Sequence, residues 1–233
     1  MRALAIYAHP DDSEVASAGT LAAWARAGCE VTVISAARGE KGAGGSGRML
    51  AKRRASEARA AAELIGVARW ECLGLDDGEV ENTRELRSQL VEVIRRFAPE
   101  VVVSSDPTAV FFGSSYVNHR DHREIGWAVL DAVSPAAGSS SYFPEAGPPH
   151  RVGELWLSGT LEPNHWFDIA ATIDVKVAAL ACHGSQLIDV IDGISEVSGA
   201  DSLVAEVVRS RAAADGVAGG MALAESYRRL MPA

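Results

Sequence analysis

The sequence has few lysines, few cysteines, few aromatics and no long apolar run. Of the 22 basic residues in the 233-residue chain, 3 are Lys and 19 are Arg. Acidic residues number 31, which sets the formal charge at −9. That shortage of positive charge argues against nucleic acid, whose binding needs a basic face, and against an anionic membrane surface. Three cysteines, Cys29, Cys72 and Cys182, make no CxxC and no even framework. They fit buried free thiols in a reducing compartment. No apolar run reaches the length of a membrane span. The opening MRALAIYAHP lacks a charged-then-apolar leader with a cleavage site, so a cytoplasmic location is expected. Neither G-x-x-x-x-G-K-[ST] nor G-x-S-x-G occurs, so neither a P-loop nor a serine-hydrolase elbow is supported. Internal repeats, low-complexity segments and a clear domain boundary are also missing. One domain over residues 1–233 is expected, with a core over about 1–190 and C-terminal helices over about 200–231.

What is present is ordinary globular composition, 48% hydrophobic and 23% charged. Forty alanines and the Arg bias point to a GC-rich coding genome before they point to chemistry. Leu4–Ala8 is a continuous apolar run, as in a strand buried on both faces. Glu14–Ala27 follows with helical composition and stops at Gly28. Glu30–Ser35 is a β-branched strand, Leu50–Leu64 a helix closed by Gly66, and Trp70–Leu73 a weaker strand. Thr83–Phe97 carries apolar residues at helical spacing and ends before Pro99. Val101–Ser105 is a fourth strand and Arg123–Val133 a fourth helix. This alternation predicts an α/β fold with a mostly parallel sheet wrapped by helices. Beyond it, Ser134–Pro149 is expected to be a long surface loop, mobile by its Ser, Gly and Pro content. Val152–Leu157 and Phe167–Ile169 with Ile173 are expected strands, and Val175–Cys182 a helix. Gly193–Ser202 is expected to be polar loop, with terminal helices over Leu203–Arg211 and Met221–Leu230.

In a parallel sheet the ligand crevice lies beyond the carboxyl ends of the strands. Two polar stretches fall there: His9-Pro10-Asp11-Asp12-Ser13-Glu14 after the first strand, and Asn118-His119-Arg120-Asp121-His122-Arg123 after the fourth. Each alone has a plain structural reading, an N-cap in the first and an exposed histidine pair in the second. Together they offer a His/Asp/His set of the kind that leaves one position of a metal to water. Nitrogen and oxygen donors without thiolate suit Zn²⁺, with Fe²⁺, Mn²⁺ and Co²⁺ as alternatives.

These two motifs resemble the paired signatures of the PIG-L/LmbE-like zinc-dependent de-N-acetylases. The resemblance extends through Gly19-Thr20-Leu21, Arg38-Gly39-Glu40, Arg54 with Glu57, Leu73-Gly74, Asp77-Gly78, and Lys176 through His183-Gly184-Ser185-Gln186. It implies a Rossmann-like fold, with zinc held by His9, Asp12 and His122. It also implies Asp11 as general base, His119 as oxyanion stabiliser and acid, and Asp121 as the group that tunes His119. Proximity to Asp121 should then favour the charged form of His119. Arg120 departs from the proline usual in relatives, which could reshape the loop or add a positive charge at the site mouth. Glu40, Arg54 and His183 are candidate substrate contacts. A surface salt bridge for the first two, and a structural hydrogen bond for the third, are the plainer readings.

The expected function is hydrolytic removal of an acetyl or small acyl group from an N-acetylglucosaminyl-type conjugate, a small-molecule partner. The alternatives are an amidase on a non-sugar conjugate and a catalytically idle sugar- or metabolite-binding module. A homo-oligomer is left open. Gly42–Gly47 fits G-x-G-x-x-G, but its context is wrong for dinucleotides, and a lid at the crevice rim is the better reading. Glu14 is expected to be a first-turn helix charge, with a supporting contact behind the site residues as the alternative, and His150 and His165 non-catalytic. Trp24, Trp127, Trp156 and Trp166 are expected core, and Phe111, Phe112 and Tyr116 candidates for an acyl pocket.

Overall fold

A computed structural model describes residues 1–42, 45, 47–187 and 197–232. Strands β1 (Arg2–Tyr7), β2 (Glu30–Ala37), β3 (Arg69–Leu75), β4 (Val101–Ser105) and β7 (Glu154–Ser158) form a parallel core. A short hairpin, β5 (Phe111–Phe112) with β6 (Tyr116–Val117), stands apart from the main sheet. Strands β8 (His165–Asp168) and β9 (Ala224–Leu230) extend the main sheet antiparallel, giving the order β3-β2-β1-β4-β7-β9-β8. The direction of winding reverses between β1 and β4, which is where such sheets open a ligand crevice.

Alternation along β1 explains why it is buried on both sides. Leu4 and Ile6 face a core with Leu90 and Ile94 of α3 (Arg84–Phe97) and Ile125 and Val129 of α4 (Arg120–Asp131). Ala3, Ala5 and Tyr7 face the other way. They meet Leu21 and Trp24 of α1 (Asp12–Arg26), Ala61 and Ile65 of α2 (Gly47–Ile65), and Ala179 of α5 (Ile173–Ala181). The four parallel strands and four helices expected from the sequence are thus present, with ends moved by a few residues, and the added strand expected over Val152–Leu157 is β7, which joins the sheet parallel to β4.

The C-terminal third differs from expectation. The expected helix over Met221–Leu230 is strand β9, seated between β7 and β8. Ala224, Tyr227 and Leu230 have helical i,i+3 spacing, but the open edge of β7 takes the segment as a strand, and tertiary pairing overrides the local pattern. Helix α7 (Val197–Gly219) begins inside the segment expected to be loop. Residues 193–196 of that loop lie outside the described residues. Ile173 starts α5 and does not continue β8.

Ser134–Pro149 is no loose loop. The buried Arg95 guanidinium donates to the carbonyls of Ala136, Ala137, Ser139, Tyr142, Phe143 and Gly147, at 2.7–3.1 Å. Trp24 and Trp156 are core, whereas Trp127 is 43% exposed. Cys29 is buried, Cys72 and Cys182 are half-buried, and all three are free. Among the described residues no helix is long and apolar enough to cross a membrane.

Candidate active site

The chain turns sharply after β1, so that the His9 backbone N–H donates to Asp12 Oδ2 at 2.8 Å. Asp11 is the N-cap of α1 and Asp12 its first residue. Across the crevice His119 caps α4, its Nδ1 accepting from the Asp121 backbone N–H at 3.2 Å. His122 then lies in the first turn of α4, which starts three residues earlier than the sequence suggested.

Three donor atoms converge. His9 Nδ1 is 3.1 Å from His122 Nε2, His122 Nε2 is 3.2 Å from Asp12 Oδ1, and His9 Nδ1 is 3.6 Å from Asp12 Oδ2. Tetrahedral coordination with Zn–ligand distances near 2.1 Å places neighbouring ligand atoms about 3.3–3.4 Å apart, and the two nitrogens and the two oxygens of the Asp12 carboxylate lie at separations close to that. Two other groupings contain His9, one with His119 and His122, the other with Asp77 and Asp121. The second uses the opposite nitrogen of the ring, and both of its carboxylates also serve backbone donors. Asp77 accepts from the Lys41 N–H at 3.1 Å, and Asp121 from the Gly78 and Val80 N–H groups at 2.7 and 3.3 Å. His119 stands over the same space as the triangle, its ring 4.9 Å from that of His9 and 5.6 Å from that of His122.

Outer partners fix both imidazoles. His9 Nε2 donates to Asp77 Oδ1 at 3.1 Å and approaches Asp121 Oδ2 at 3.3 Å, which leaves Nδ1 for the triangle. His122 Nδ1 donates to Asn118 Oδ1 at 3.2 Å, which leaves Nε2. Such carboxylate and amide partners orient imidazole ligands and set their tautomers. Burial opposes charge on His9, but Asp12, Asp121 and Asp77 outweigh it and push its pKa up to about 12. Burial likewise opposes charge on His122, and Asp12 more than compensates, raising its pKa. Burial disfavours the Asp12 carboxylate as well, yet the two imidazoles hold it well below the usual range. A site that gathers protons this strongly is one where a cation is favoured.

Asp121 therefore acts on His9 through its carboxylate, besides favouring charge on His119. The expected rise in the pKa of His119 is also reversed. Burial lowers it first, the charge on His9 lowers it further, and Asp121 does not offset them. With Nδ1 accepting the Asp121 N–H, the neutral ring carries its proton on Nε2.

Arg54 is 3% exposed and donates to Asp11 Oδ1 at 2.5 Å and to the Gly39 carbonyl at 3.0 Å. It touches the candidate base, so the surface salt bridge is excluded. Gly39 has φ +67°, and an added Cβ there would lie 2.2 Å from the guanidinium, so the close approach needs glycine. Glu40 accepts the Asp77 N–H at 3.1 Å with Oε1, while its buried Oε2 has no hydrogen-bond partner among the described residues. His183 is fully buried, with Nε2 3.4 Å from Glu14 Oε2. Glu14 lies in the first turn of α1 as expected, but it is buried there and accepts from Ser13 Oγ. His183 thus packs behind α1 and does not line the crevice. Arg120 donates to the Gly78 carbonyl and to Glu81, bracing the loop that holds Asp121.

A cavity of about 560 Å³ opens on the Asp12 and His122 side of the triangle. The β5–β6 hairpin overhangs it with Phe112 and Tyr116, while Phe111 points away and is exposed. Asp106 is 1% exposed and spends Oδ1 on Thr108, leaving Oδ2 without a hydrogen-bond partner among the described residues. Arg211 reaches the rim from α7. Sequence reasoning assigned no role to Asp77, Asp106, Asn118 or Arg211. Asp106 follows β4 directly, and the strand-end rule could have found it. Of the suspected lid at 42–47, Ala43, Gly44 and Ser46 lie outside the described residues. His150 donates to the Pro99 carbonyl and His165 stacks on Trp156, both away from the crevice.

Comparison with known proteins identifies the family and the fold. Residues 4–133, more than half of the chain, match the sequence model of the PIG-L family, described as GlcNAc-PI de-N-acetylase. The chain is 33% identical to a diacetylchitobiose deacetylase of Thermococcus kodakarensis over 79% of its own length and 70% of the relative's. It is 29% identical to a 1D-myo-inositol 2-acetamido-2-deoxy-alpha-D-glucopyranoside deacetylase of Segniliparus rotundus, over 80% of this chain and 77% of that one. The solved structure of N,N'-diacetylchitobiose deacetylase from Pyrococcus horikoshii, complexed with an inhibitor, superposes with a TM-score of 0.85 at 26% identity. That match covers 99% of this chain and 84% of that one.

Proposed function

The chain belongs to the PIG-L family of de-N-acetylases, and we propose that it hydrolyses the acetamide of an N-acetylglucosaminyl-type conjugate in the crevice between β1 and β4. The observation that carries this reading is the His9–Asp12–His122 triangle with Asp11 on one side and His119 on the other. His9, Asp12 and His122 would hold a divalent ion, zinc by the donor set, with Fe²⁺, Mn²⁺ and Co²⁺ fitting the same atoms. Such an ion supplies acidity to a water and polarises a carbonyl oxygen.

Asp11 is adjacent in sequence to a ligand but spends its carboxylate on Arg54, which keeps it in the crevice as a proton acceptor. It takes the proton of the attacking water and returns one to the departing amine. His119, neutral, presents its Nε2–H to the amide oxygen as negative charge develops there. Asp121 and Asp77 hold His9 in place, and Asn118 holds His122. The free Asp106 Oδ2 is an acceptor for a hydroxyl or amide N–H of the substrate, which suits a sugar.

The test is metal analysis together with release of acetate and free amine from a panel of N-acetylglucosaminyl conjugates, with and without chelator. About one metal per chain and chelator-sensitive acetate release support the reading. Turnover of non-sugar N-acyl amides alone moves the assignment to an amidase, and metal with no turnover on either moves it to a binding module.

A further inference from the structure

A second cavity, of about 540 Å³, lies between α2 and the edge strand β3. Arg48, Lys52 and Arg59 follow one face of α2 at helical spacing and line it. Trp70 and Cys72 line it from β3, and Arg38 from the loop after β2. Ala51 and Ala55, being small, leave the recess open. Arg38 is met by Asp76, and the one acidic lining residue, Glu71, is met by Arg69 outside the cavity. Arg48, Lys52 and Arg59 pair with no carboxylate among the described residues, in a chain of net charge −9. Arg59 instead stacks on Trp70, 5.3 Å from the ring centre. The buried indole N–H of Trp70 has no acceptor among the described residues, a rare condition in a folded protein. A purely solvated helix face explains the cations but not the recess or the orphaned donor.

We propose that this cavity binds a phosphate-bearing ligand. The anion lies against Arg48, Lys52 and Arg59, the arginines offering bidentate N–H groups. The remainder of the ligand lies over Ala51, Ala55 and Trp70, in a volume ordinary for a small-molecule site. A phosphorylated metabolite and a phospholipid headgroup present the same chemistry. Pro10 and Gly74 reach the same cavity, so the ligand would sit behind the turn that carries Asp11 and beside the loop that carries Asp77.

The full chain is titrated with inorganic pyrophosphate, with adenosine monophosphate and with phosphatidylcholine vesicles containing phosphatidic acid. Calorimetry and tryptophan fluorescence report binding, and Cys72 alkylation by iodoacetamide reports occupancy. The expected result is saturable, sub-millimolar binding that weakens with salt and slows Cys72 alkylation. It should fall by about tenfold or more, about 1.4 kcal/mol or more, in Arg48→Ala/Lys52→Ala. Both positions are exposed, and circular dichroism checks that the fold is kept. Binding of the soluble anions identifies a metabolite site, and binding of vesicles alone identifies a headgroup site. No saturable binding in any arm, or equal binding by the double variant, overturns the proposal. The readout needs no turnover, so it stands or falls separately from the de-N-acetylase reading.

Discussion

The guanidinium of Arg54 joins the side chain of Asp11 to the backbone carbonyl of Gly39, at 2.5 and 3.0 Å. One buried cation thereby ties the candidate base to the loop after β2. Lysine cannot make both contacts in that geometry. Arg54→Lys should lower kcat about 100-fold, the scale of loss when a reacting group is misplaced by an ångström. Metal content should stay at the wild-type level. A rise in KM with kcat unchanged would instead make Arg54 a substrate contact, as the sequence allowed.

The carboxylates behind His9 make a different prediction. Asp121→Asn and Asp77→Asn should each weaken metal binding by about 10–100-fold, the usual effect of losing a partner of a metal-bound histidine. Competition with a chromophoric chelator measures this. Were Asp121 to act on His119 alone, metal affinity would not move.

Asp106 concerns the substrate. Replacement by Ala removes the unpaired Oδ2 acceptor, and the loss of one hydrogen bond to a charged group corresponds to about 1.5–3 kcal/mol, or roughly 10–100-fold in kcat/KM for a sugar substrate. A short N-acyl amide without hydroxyls should be unaffected. Equal losses on both substrates would show that Asp106 supports the fold, not recognition.

Arg95 tests the fold independently of the site. Arg95→Met strands six carbonyls that now accept from one guanidinium. The variant should lose about 3 kcal/mol or more of stability in urea titrations, since each buried acceptor left without a donor costs about 1–3 kcal/mol. Activity per folded molecule should be retained, because the 134–149 segment lies away from the crevice.

These predictions divide along what the sequence could and could not disclose. Strands β1 and β4 were legible because Ala3–Ile6 and Val101–Val103 are apolar on successive residues, as double-sided burial demands, and β2 because Val31–Ile34 is β-branched throughout. The metal-ligand candidates were legible because two polar motifs stand at strand ends. Strand β9 was not, since Ala224, Tyr227 and Leu230 satisfy a helical period and only the edge of β7 decides between the two. The partners of the histidines were equally hidden. Asp77 is 68 residues from His9, and nothing local to either reveals the pairing. His183 was a candidate substrate contact by family resemblance alone, yet packing buries its ring against Glu14.

The central claim is that Asp11 moves protons while His9, Asp12 and His122 hold the metal. Metal stoichiometry and acetate release, measured together on the wild type and Asp11→Asn, test it most directly. The account predicts about one metal per chain in both proteins, with acetate release reduced about 10²–10⁴-fold in the variant, the range for a general base. Undiminished release by a fully metallated Asp11→Asn protein would contradict it.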